Sequence, residues 1–384
     1  MTASLRASAA IAGAAESEIG AAPDGTRPID LMARACLRAL ADAGLTPADV
    51  DGVFAATTQL PMAPVNLALE LGIDARYSDA TNVGGSSFMF HVGHARAAIA
   101  AGLCDVALIA YGSTQRLVGR SSASVQELDP WETPYRPVMP LTAYALAAAR
   151  HMHEFGTTRR QLAEVAVSAR AWAQRNPAAW SREPLSIEDV LGARMVADPL
   201  TVRDCCLVTD GGAAIVVTSA ERAASLARPP VLVLGAGEAH SHRHITGMAD
   251  LTRTAAAESG ARAFAEAGLA PADVDCVQLY DAFTITPILF LEDLGFCAKG
   301  EGGPFVSGGR TAPGGALPMN TNGGGLSYCH PGMYGLLGIV EAVRQLRGEA
   351  AGRQVAGCEV AVAHGNGGVL SSQATLVLGT AGTA

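Results

Sequence analysis

Aromatic and charged residues are scarce in this sequence of 384 residues. Phe, Trp and Tyr together make up 5% and the charged residues 16%, whereas hydrophobic residues make up 49%. A core with so few rings must be built mainly from small aliphatic side chains, which suits closely packed α/β layers. The net charge of -9 and the lack of a basic run argue against a nucleic-acid surface or a basic membrane patch.

Membrane-spanning and disulfide signals are missing as well. No apolar run approaches the length of a transmembrane helix. The opening residues, MTASLRASAAIAGAAE, predict a short first strand, because they lack the sustained apolar core of a signal peptide. The eight cysteines show no CxxC spacing and are expected to be reduced thiols. These absences predict a compact enzyme of the cytoplasm with two or three domains.

The sequence contains one pattern twice. Residues 38–51 read RALADAGLTPADVD, and residues 262–275 read RAFAEAGLAPADVD. Each predicts an alanine-rich helix ended by glycine, a Pro-Ala-Asp turn and an apolar strand. Two Gly-rich loops, 82–87 (NVGGSS) and 320–325 (NTNGGG), are each followed by a helical pattern and a Val/Ala-rich strand. The repeat predicts two similar halves about a pseudo-twofold axis, with an active site between them.

The rest of the chain divides around this repeat. We expect an N-terminal half from residues 1–119 and 201–229, an inserted region at 120–200 and a C-terminal half at 230–384. Clustered prolines mark the start of the insertion. Helical patterns cover 30–43, 88–101, 141–155 and 158–176, and buried strands are predicted at 105–111, 213–218 and 231–234.

Three longer stretches resemble the thiolase superfamily, in the branch near the sterol carrier protein x thiolases. They are residues 144–179, 198–217 and 320–335, and the last is similar to the thiolase His-Pro-Gly signature at His330. The resemblance covers nearly the whole chain. It implies the α/β thiolase fold, in which two duplicated βαβαβαββ-type halves pack as five layers (αβαβα) with an inserted loop domain.

The resemblance also implies a chemistry that makes or breaks a carbon–carbon bond next to a coenzyme A thioester. The family's nucleophilic cysteine normally lies at a helix N-terminus on the first Gly-rich loop, where the helix dipole favours the thiolate. Here Gly84 falls at that place, which implies that it presents a backbone N–H and leaves room above the helix. Loss of a catalytic nucleophile typically costs about 10⁴- to 10⁶-fold in rate, so a ping-pong thiolase mechanism is not expected.

The other family motifs change too. His364, in His-Gly-Asn-Gly-Gly, takes the place of the second catalytic cysteine, and the motif beside the oxyanion hole begins at Tyr280 and reads YDAF. The implied catalytic residues are His330, His364 and Tyr280, with oxyanion-hole donors at Gly84, Gly85 and Asn366. These groups offer acid–base chemistry and carbonyl polarisation without a thiol. The set is similar to that of thiolase-like aldolases that cleave steroid side chains.

Four further residues are candidates beside these motifs: Ser86, Ser87, Asp281 and Cys329. A serine nucleophile is one alternative, although serine at the start of a helix more often caps it. Cys329 adjoins His330 and offers a thiol in its place. The cluster HSHRH at 240–244 has alternating histidines but no nearby carboxylate or thiol to complete a ligand set, so we expect no metal site.

Three functions remain open on the sequence alone. The first is an aldol or retro-aldol enzyme acting on an acyl-CoA, with coenzyme A as part of the substrate and no permanently bound cofactor. The second is a conventional acetyl-CoA acyltransferase of the 3-ketoacyl-CoA thiolase type. The third is a non-catalytic subunit that binds acyl-CoA or lipid.

The resemblance extends to binding partners. Coenzyme A is expected to dock on the insertion, where arginines could meet its phosphates; the candidates are Arg116, Arg120, Arg136 and Arg150. Thiolase-like chains pair, so we expect a homodimer that forms through the strand at 105–111. A small OB-fold/zinc-ribbon protein is a further expected partner.

Overall fold

The computed structural model describes residues 5–119 and 128–383. The strands are β1 (Ala9–Glu16), β2 (Gly52–Ala55), β3 (Tyr77–Asp79), β4 (Val106–Ser113), β5 (Met195–Ala197), β6 (Leu200–Thr201), β7 (Gly211–Ser219), β8 (Val231–His240), β9 (Cys276–Leu279), β10 (Val360–Gly367) and β11 (Ser372–Gly379). The α-helices are α1 (Pro28–Ala43), α2 (Ala63–Leu71), α3 (Ser87–Ala100), α4 (Gln115–Val118), α5 (Leu141–Phe155), α6 (Arg159–Ala173), α7 (Ile187–Leu191), α8 (Ala220–Ala224), α9 (Ala256–Ala267), α10 (Ile285–Asp293), α11 (Gly302–Val306) and α12 (Gly335–Arg347).

Nine strands form one large mixed sheet in the order β3-β2-β4-β7-β1-β8-β11-β10-β9. The first five of these come from the N-terminal part of the chain and the last four from the C-terminal part. The two groups meet through only two residue pairs of β1 and β8, Ala10 with Leu232 and Ile11 with Val231. The remaining strands, β5 and β6, make a separate small sheet.

The helices complete five layers. α1 packs on the outer face of β1, β4 and β7, and α9 packs on the outer face of β8 and β11. Between the two strand groups lie α3, which contacts β7 and β10, and α12, which contacts β7, β9 and β10. Eleven of the thirteen α12 residues are buried, as a helix enclosed by two sheet surfaces requires. The predicted αβαβα fold class is confirmed.

The duplicated sequence folds into duplicated structure. α1 is followed by a 3₁₀ turn at Pro47–Asp49 and by β2, and α9 is followed by a 3₁₀ turn at Pro271–Asp273 and by β9. Both helices end at a glycine in the left-handed region, with φ of 73° at Gly44 and 65° at Gly268. Only glycine adopts this conformation without steric cost. The repeat therefore specifies the same helix–turn–strand unit in each half.

The insertion lies outside the large sheet. It supplies α5, α6 and α7 together with the small sheet, and α6 packs against the π-helical turn Gly324–Tyr328 of the second Gly-rich loop. Through this contact the insertion borders the region in which the motif residues gather. The exact domain boundaries stay a prediction.

One expectation about assembly is wrong. β4, which contains most of the strand predicted at 105–111, is hydrogen-bonded to β2 on one side and to β7 on the other. Its backbone groups are already paired within the chain, and its apolar side chains are buried by the chain's own helices. β4 therefore cannot join two chains edge to edge, and a homodimer would need another surface.

Two other observations bear on the sequence predictions. None of the described helices is long and apolar enough to cross a membrane. All eight cysteines are free thiols in the structure.

Candidate active site

The two serines of the first Gly-rich loop hold the loop in place. The Ser87 hydroxyl accepts a hydrogen bond from the Val83 N–H at 2.9 Å and donates one to the Gly84 carbonyl oxygen at 2.6 Å. The Ser86 hydroxyl donates to the Ser372 hydroxyl at 2.9 Å. Both serines are fully buried. Ser86, at the N-cap of α3, makes no side-chain capping bond, so the expected capping role is not seen, and the contacts of both serines favour a role in holding the loop over a nucleophilic one.

Tyr280 lies directly after β9, and its ring packs on Gly85 at the turn that begins α3. A Cβ atom at Gly85 would overlap the Tyr280 ring, at 2.7 Å from Cζ, and would lie 2.8 Å from the Asn366 carbonyl oxygen. Only glycine leaves space for the ring at this distance. The phenol therefore lies against the start of the helix, where the sequence predicted open space.

The Tyr280 hydroxyl forms a pair with His330. Its oxygen lies 3.0 Å from His330 Nε2, and it accepts the Tyr334 N–H at 3.1 Å. The Gly332 carbonyl oxygen is 3.4 Å away. Because Tyr334 occupies one lone pair of the hydroxyl, the phenolic proton can point to either the imidazole or Gly332. We call these two residues the Tyr280–His330 pair.

Burial sets the protonation of the pair. It raises the pKa of Tyr280 well above its usual value and lowers the pKa of His330 to about 4. At neutral pH the pair is thus a phenol and a neutral imidazole. Tyr280 is 4% exposed, whereas His330 is of intermediate exposure. His330 is therefore the more accessible residue of the pair.

Asp281 positions the loop that carries His330. Its carboxylate accepts the N–H groups of Gly325 at 2.6 Å and Leu326 at 3.3 Å. A side chain at Gly324 would collide with the same carboxylate, 2.7 Å from Cγ. Burial raises the pKa of Asp281 to about 7. Its contacts make Asp281 a positioning residue of the second Gly-rich loop.

The Cys329 side chain is an unsuitable nucleophile. It is fully buried, and burial raises the pKa of its thiol well above the usual value. A thiol in this state stays protonated, whereas the reactive form of cysteine is the thiolate. The structure therefore gives no support to Cys329 as a replacement for the missing cysteine.

The His364 ring is not brought together with the Tyr280–His330 pair. Its Nδ1 is bonded to Thr375 at 2.9 Å and its Nε2 to Gln373 at 3.0 Å. Only the carbonyl oxygen of His364 reaches the site, where it accepts the Tyr280 N–H at 3.1 Å. Because both ring nitrogens are engaged inside the sheet, the expected acid–base role has no free atom here. His364 instead holds the strand beneath Tyr280.

The expected oxyanion-hole residues are also engaged. The Asn366 side-chain amide donates to the Tyr144 hydroxyl and accepts from Gln373, both at 2.8 Å. Gly84 has a φ of 82°, and a Cβ atom there would lie 2.8 Å from Gly367 Cα. The expectation of room above Gly84 is therefore wrong, because the loop packs against the β10–β11 turn.

Several residues at the site were not among the candidates named from the sequence. Thr209 bonds the His330 backbone N–H at 2.9 Å and thereby ties the His-Pro-Gly loop to the strand β7 region. Tyr144 stacks on Phe283 with ring centroids 4.4 Å apart. Tyr334 contributes its backbone N–H, which a sequence cannot single out. All three residues lie in the family-like stretches 198–217, 144–179 and 320–335, and that was the available signal.

The arginines proposed for coenzyme A are dispersed. Arg116 stacks on the Trp180 ring, with its guanidinium carbon 5.2 Å from the ring centroid. Arg150 pairs with Glu154 on α5, and Arg136 is exposed. Arg120 lies outside the described residues. In residues 5–119 and 128–383, no three His, Cys, Asp or Glu side chains converge as metal ligands.

The buried neutral His364 predicts a stability that depends on pH. Burial lowers its pKa to about 4, so the unfolded chain binds a proton more readily. The contribution of the neutral His364 ring to the free energy of unfolding is complete above about pH 6.5. It is lost as the pH falls toward 4, and the loss amounts to at most about 3 kcal/mol. We expect His364→Gln to flatten this part of the urea-unfolding profile. His153→Gln, at an exposed position on α5, is the control; equal slopes in all three proteins would contradict the prediction.

The layered fold and the gathered motif residues define an α/β enzyme whose site lies between duplicated halves. The thiolase C-terminal domain-like family model matches residues 237–380. A 17-hydroxy-3-oxo-4-pregnene-20-carboxyl-CoA lyase of Mycobacterium tuberculosis is 36% identical over 378 residues, which cover 92% of this chain and 95% of that protein. A steroid side-chain-cleaving aldolase of Thermomonospora curvata is 34% identical over 366 residues, 90% of this chain and 91% of that protein.

A solved structure extends the likeness to three dimensions. The Ltp2-ChsH2(DUF35) aldolase is 33% identical, with a TM-score of 0.89 over 98% of this chain and 98% of that chain. Likeness of this extent shows that the chain belongs to the thiolase superfamily. Its homologues include thiolase-like aldolases and lyases. The missing cysteine had indicated this same branch of the superfamily.

Proposed function

We propose that this protein cleaves the Cα–Cβ bond of a 3-hydroxyacyl-CoA by a retro-aldol reaction, or forms the bond in reverse, without a covalent acyl-enzyme. The observation that carries the proposal is the Tyr280–His330 pair, which fills the start of α3 where a thiolase would need a thiolate. The pair offers a phenol and a neutral imidazole, the two partners that proton transfer requires.

The proposed reaction proceeds in two steps. His330 takes the proton of the 3-hydroxyl group, the Cα–Cβ bond breaks, and its electron pair moves into the thioester as an enolate. The hydroxyl carbon leaves as an aldehyde or ketone. The proton then returns to Cα through the Tyr280–His330 pair, which yields the shortened acyl-CoA. The Tyr280 hydroxyl stabilises the developing oxyanion by hydrogen bonding, the kind of contribution that preorganised donors make.

The similar proteins support this class of reaction. By their names, the relatives in Mycobacterium tuberculosis and Thermomonospora curvata are a carboxyl-CoA lyase and a side-chain-cleaving aldolase. We propose the same bond type for this chain and an acyl-CoA substrate, with coenzyme A entering and leaving as part of that substrate.

The alternative acyl transfer would need a nucleophile that the described residues do not offer. The Ser86 and Ser87 hydroxyls are used in holding the loop, and the Cys329 thiol is buried and protonated. A non-catalytic subunit would have no need for an imidazole paired with a phenol at the motif positions. Among the described residues, no side chain at the site favours either alternative.

The test is product analysis with a 3-hydroxyacyl-CoA. We expect a carbonyl product and a shorter acyl-CoA in equal amounts, with no mass added to the protein. His330→Asn should lower kcat about 10²-fold or more, the scale of a lost proton-transfer or oxyanion group. A trapped acyl-serine, or wild-type turnover by the variant, would overturn the proposal.

We propose further that the enzyme works in the cytoplasm as a homodimer joined by a second protein. Free thiols suit a reducing compartment, and the similar aldolase structure carries a DUF35 partner in its name. An OB-fold/zinc-ribbon protein is the expected form of that partner. Light scattering of the chain alone and with such a protein would separate the two parts of this proposal.

A further inference from the structure

Arg170 on α6 is a buried cation without an ion pair among the described residues. Its side chain is 4% exposed. Nε donates to the Ser327 hydroxyl at 2.9 Å, and Nη1 donates to the Glu183 carbonyl oxygen at 2.8 Å. Both acceptors are neutral, and the Glu183 carboxylate interacts with the Arg170 guanidinium only at longer range. Buried arginines are usually paired, so an uncompensated one requires an explanation.

A second arginine faces the same place. Arg203 follows β6, is exposed, and lies close enough to lower the pKa of Arg170 in addition to the effect of burial. Arg203 also has no ion pair in the described part of the chain, and the Asp189 carboxylate interacts with it only at longer range. The two guanidinium groups repel each other, and the Glu183 and Asp189 carboxylates offset this repulsion without a direct ion pair. A negative ligand between them would supply one.

A small cleft separates the two arginines. Its volume is about 30 Å³, its polar lining is formed by Arg170, Arg203, Ser327 and Cys205, and its walls include Leu207 and Leu326. This space takes a terminal oxyanion group but not a whole nucleotide. The remainder of a ligand would pass out beside Arg203. Arginine suits such a group because its planar fork matches phosphate and carboxylate oxygens.

A segment of three residues, Gly325 to Ser327, runs along the chain from the Tyr280–His330 pair to the cleft. Gly325 borders the His330 ring, since a Cβ atom there would lie 3.2 Å from Cδ2, and its carbonyl oxygen accepts the Leu207 N–H at 2.9 Å. Two residues later, Ser327 bonds Arg170. One short segment thus contacts both places.

We propose that Arg170 and Arg203 bind a phosphate or carboxylate group of the substrate while its reacting bond lies at the Tyr280–His330 pair. The proposal of an anion site is based on the cleft and on the two arginines that have no ion pair among the described residues. Its assignment to the substrate rests on the proposed function.

The test measures binding by calorimetry without turnover. The probes are coenzyme A, pantetheine, succinate and inorganic phosphate, and the proteins are wild type, Arg203→Gln, Arg203→Lys and Arg253→Gln. Arg253 is an exposed arginine after β8. Arg253→Gln therefore removes the same charge as Arg203→Gln but at a different place on the surface. Loss of one charge-assisted hydrogen bond typically weakens binding about tenfold or more. We expect this loss in Arg203→Gln, a smaller loss in Arg203→Lys and none in Arg253→Gln.

The probes distinguish the source of the anion. Arg203-dependent binding of coenzyme A, with none of pantetheine or succinate, assigns the cleft to a phosphate; Arg203-dependent binding of succinate assigns it to a carboxylate on the acyl group. Unchanged affinity of every probe in Arg203→Gln, or no binding of any anion to the wild type, overturns the proposal. Binding is read without catalysis, so failure of the retro-aldol proposal would leave this result intact.

Discussion

Tyr280→Phe is expected to lower kcat by about 10³-fold while the protein remains folded. The phenylalanine ring keeps its packing on Gly85, so the change removes only the hydroxyl that lies 3.0 Å from His330. The loss lies within the range of about 10²- to 10⁴-fold that positioned acid–base groups contribute. Steady-state kinetics with a 3-hydroxyacyl-CoA, together with a thermal unfolding curve, measures both parts of the prediction.

Tyr77→Phe is the matched control for this substitution. Tyr77 lies in β3 at the edge of the sheet and packs against Phe54 with ring centroids 5.6 Å apart, away from the Tyr280–His330 pair. It should retain wild-type kcat. Equal activity of Tyr280→Phe and Tyr77→Phe would remove the Tyr280 hydroxyl from the mechanism.

Gly85→Ala is expected to damage both stability and activity. The new Cβ atom would overlap the Tyr280 ring, which has no free space to move into because Tyr334 and His330 hold its hydroxyl. Overpacking of this kind costs about 1–3 kcal/mol. Displacement of the phenol from His330 should lower kcat at least about 10²-fold. Urea unfolding and steady-state kinetics give the two values.

A control on the adjoining helix and a second substitution sharpen this test. Gly93 lies in α3, and a Cβ atom there would meet nothing nearer than 4.0 Å, so Gly93→Ala should stabilise the protein by about 0.5–1 kcal/mol. In a Tyr280→Ala background the stability cost of Gly85→Ala should fall, because the ring is gone and only the contact with the Asn366 carbonyl oxygen, 2.8 Å from the new Cβ atom, remains. Additive effects of the two substitutions would show that ring and glycine do not interact.

Much of the fold could be predicted from local patterns. The helix predicted at 141–155 matches α5 (Leu141–Phe155), and the duplicated helix–turn–strand units match as well, because their signals lie within a few residues of each other. β8 was predicted to end at residue 234, but it continues to His240. Gly235 and Gly237 interrupt the apolar pattern, although in the fold they allow α9 to pack closely, at 3.0 Å or less from a Cβ atom at either position.

The catalytic side chains could be predicted where each one lies within its own sequence motif. Tyr280 and His330 each lie in a recognisable motif, and the structure brings their side chains together. His364 shows the limit, because the direction of its ring depends on the pairing of β10 with β11, which places His364 opposite Thr375. Register between strands follows from long-range packing. No residue pattern near position 364 contains that information.

The packing of Tyr280 on Gly85 has a consequence for how this chain can change over time. The glycine comes from the first half of the duplicated fold, and the phenol comes from the second. Neither half contains a complete site, so the two halves are complementary although their architecture is equivalent. A substitution that changes the side-chain volume at either position needs a compensating substitution at the other, almost two hundred residues away. We expect the two positions to covary in evolution, so that a homologue with a larger residue at position 85 would carry a smaller one at position 280 and would need another group in place of the phenol.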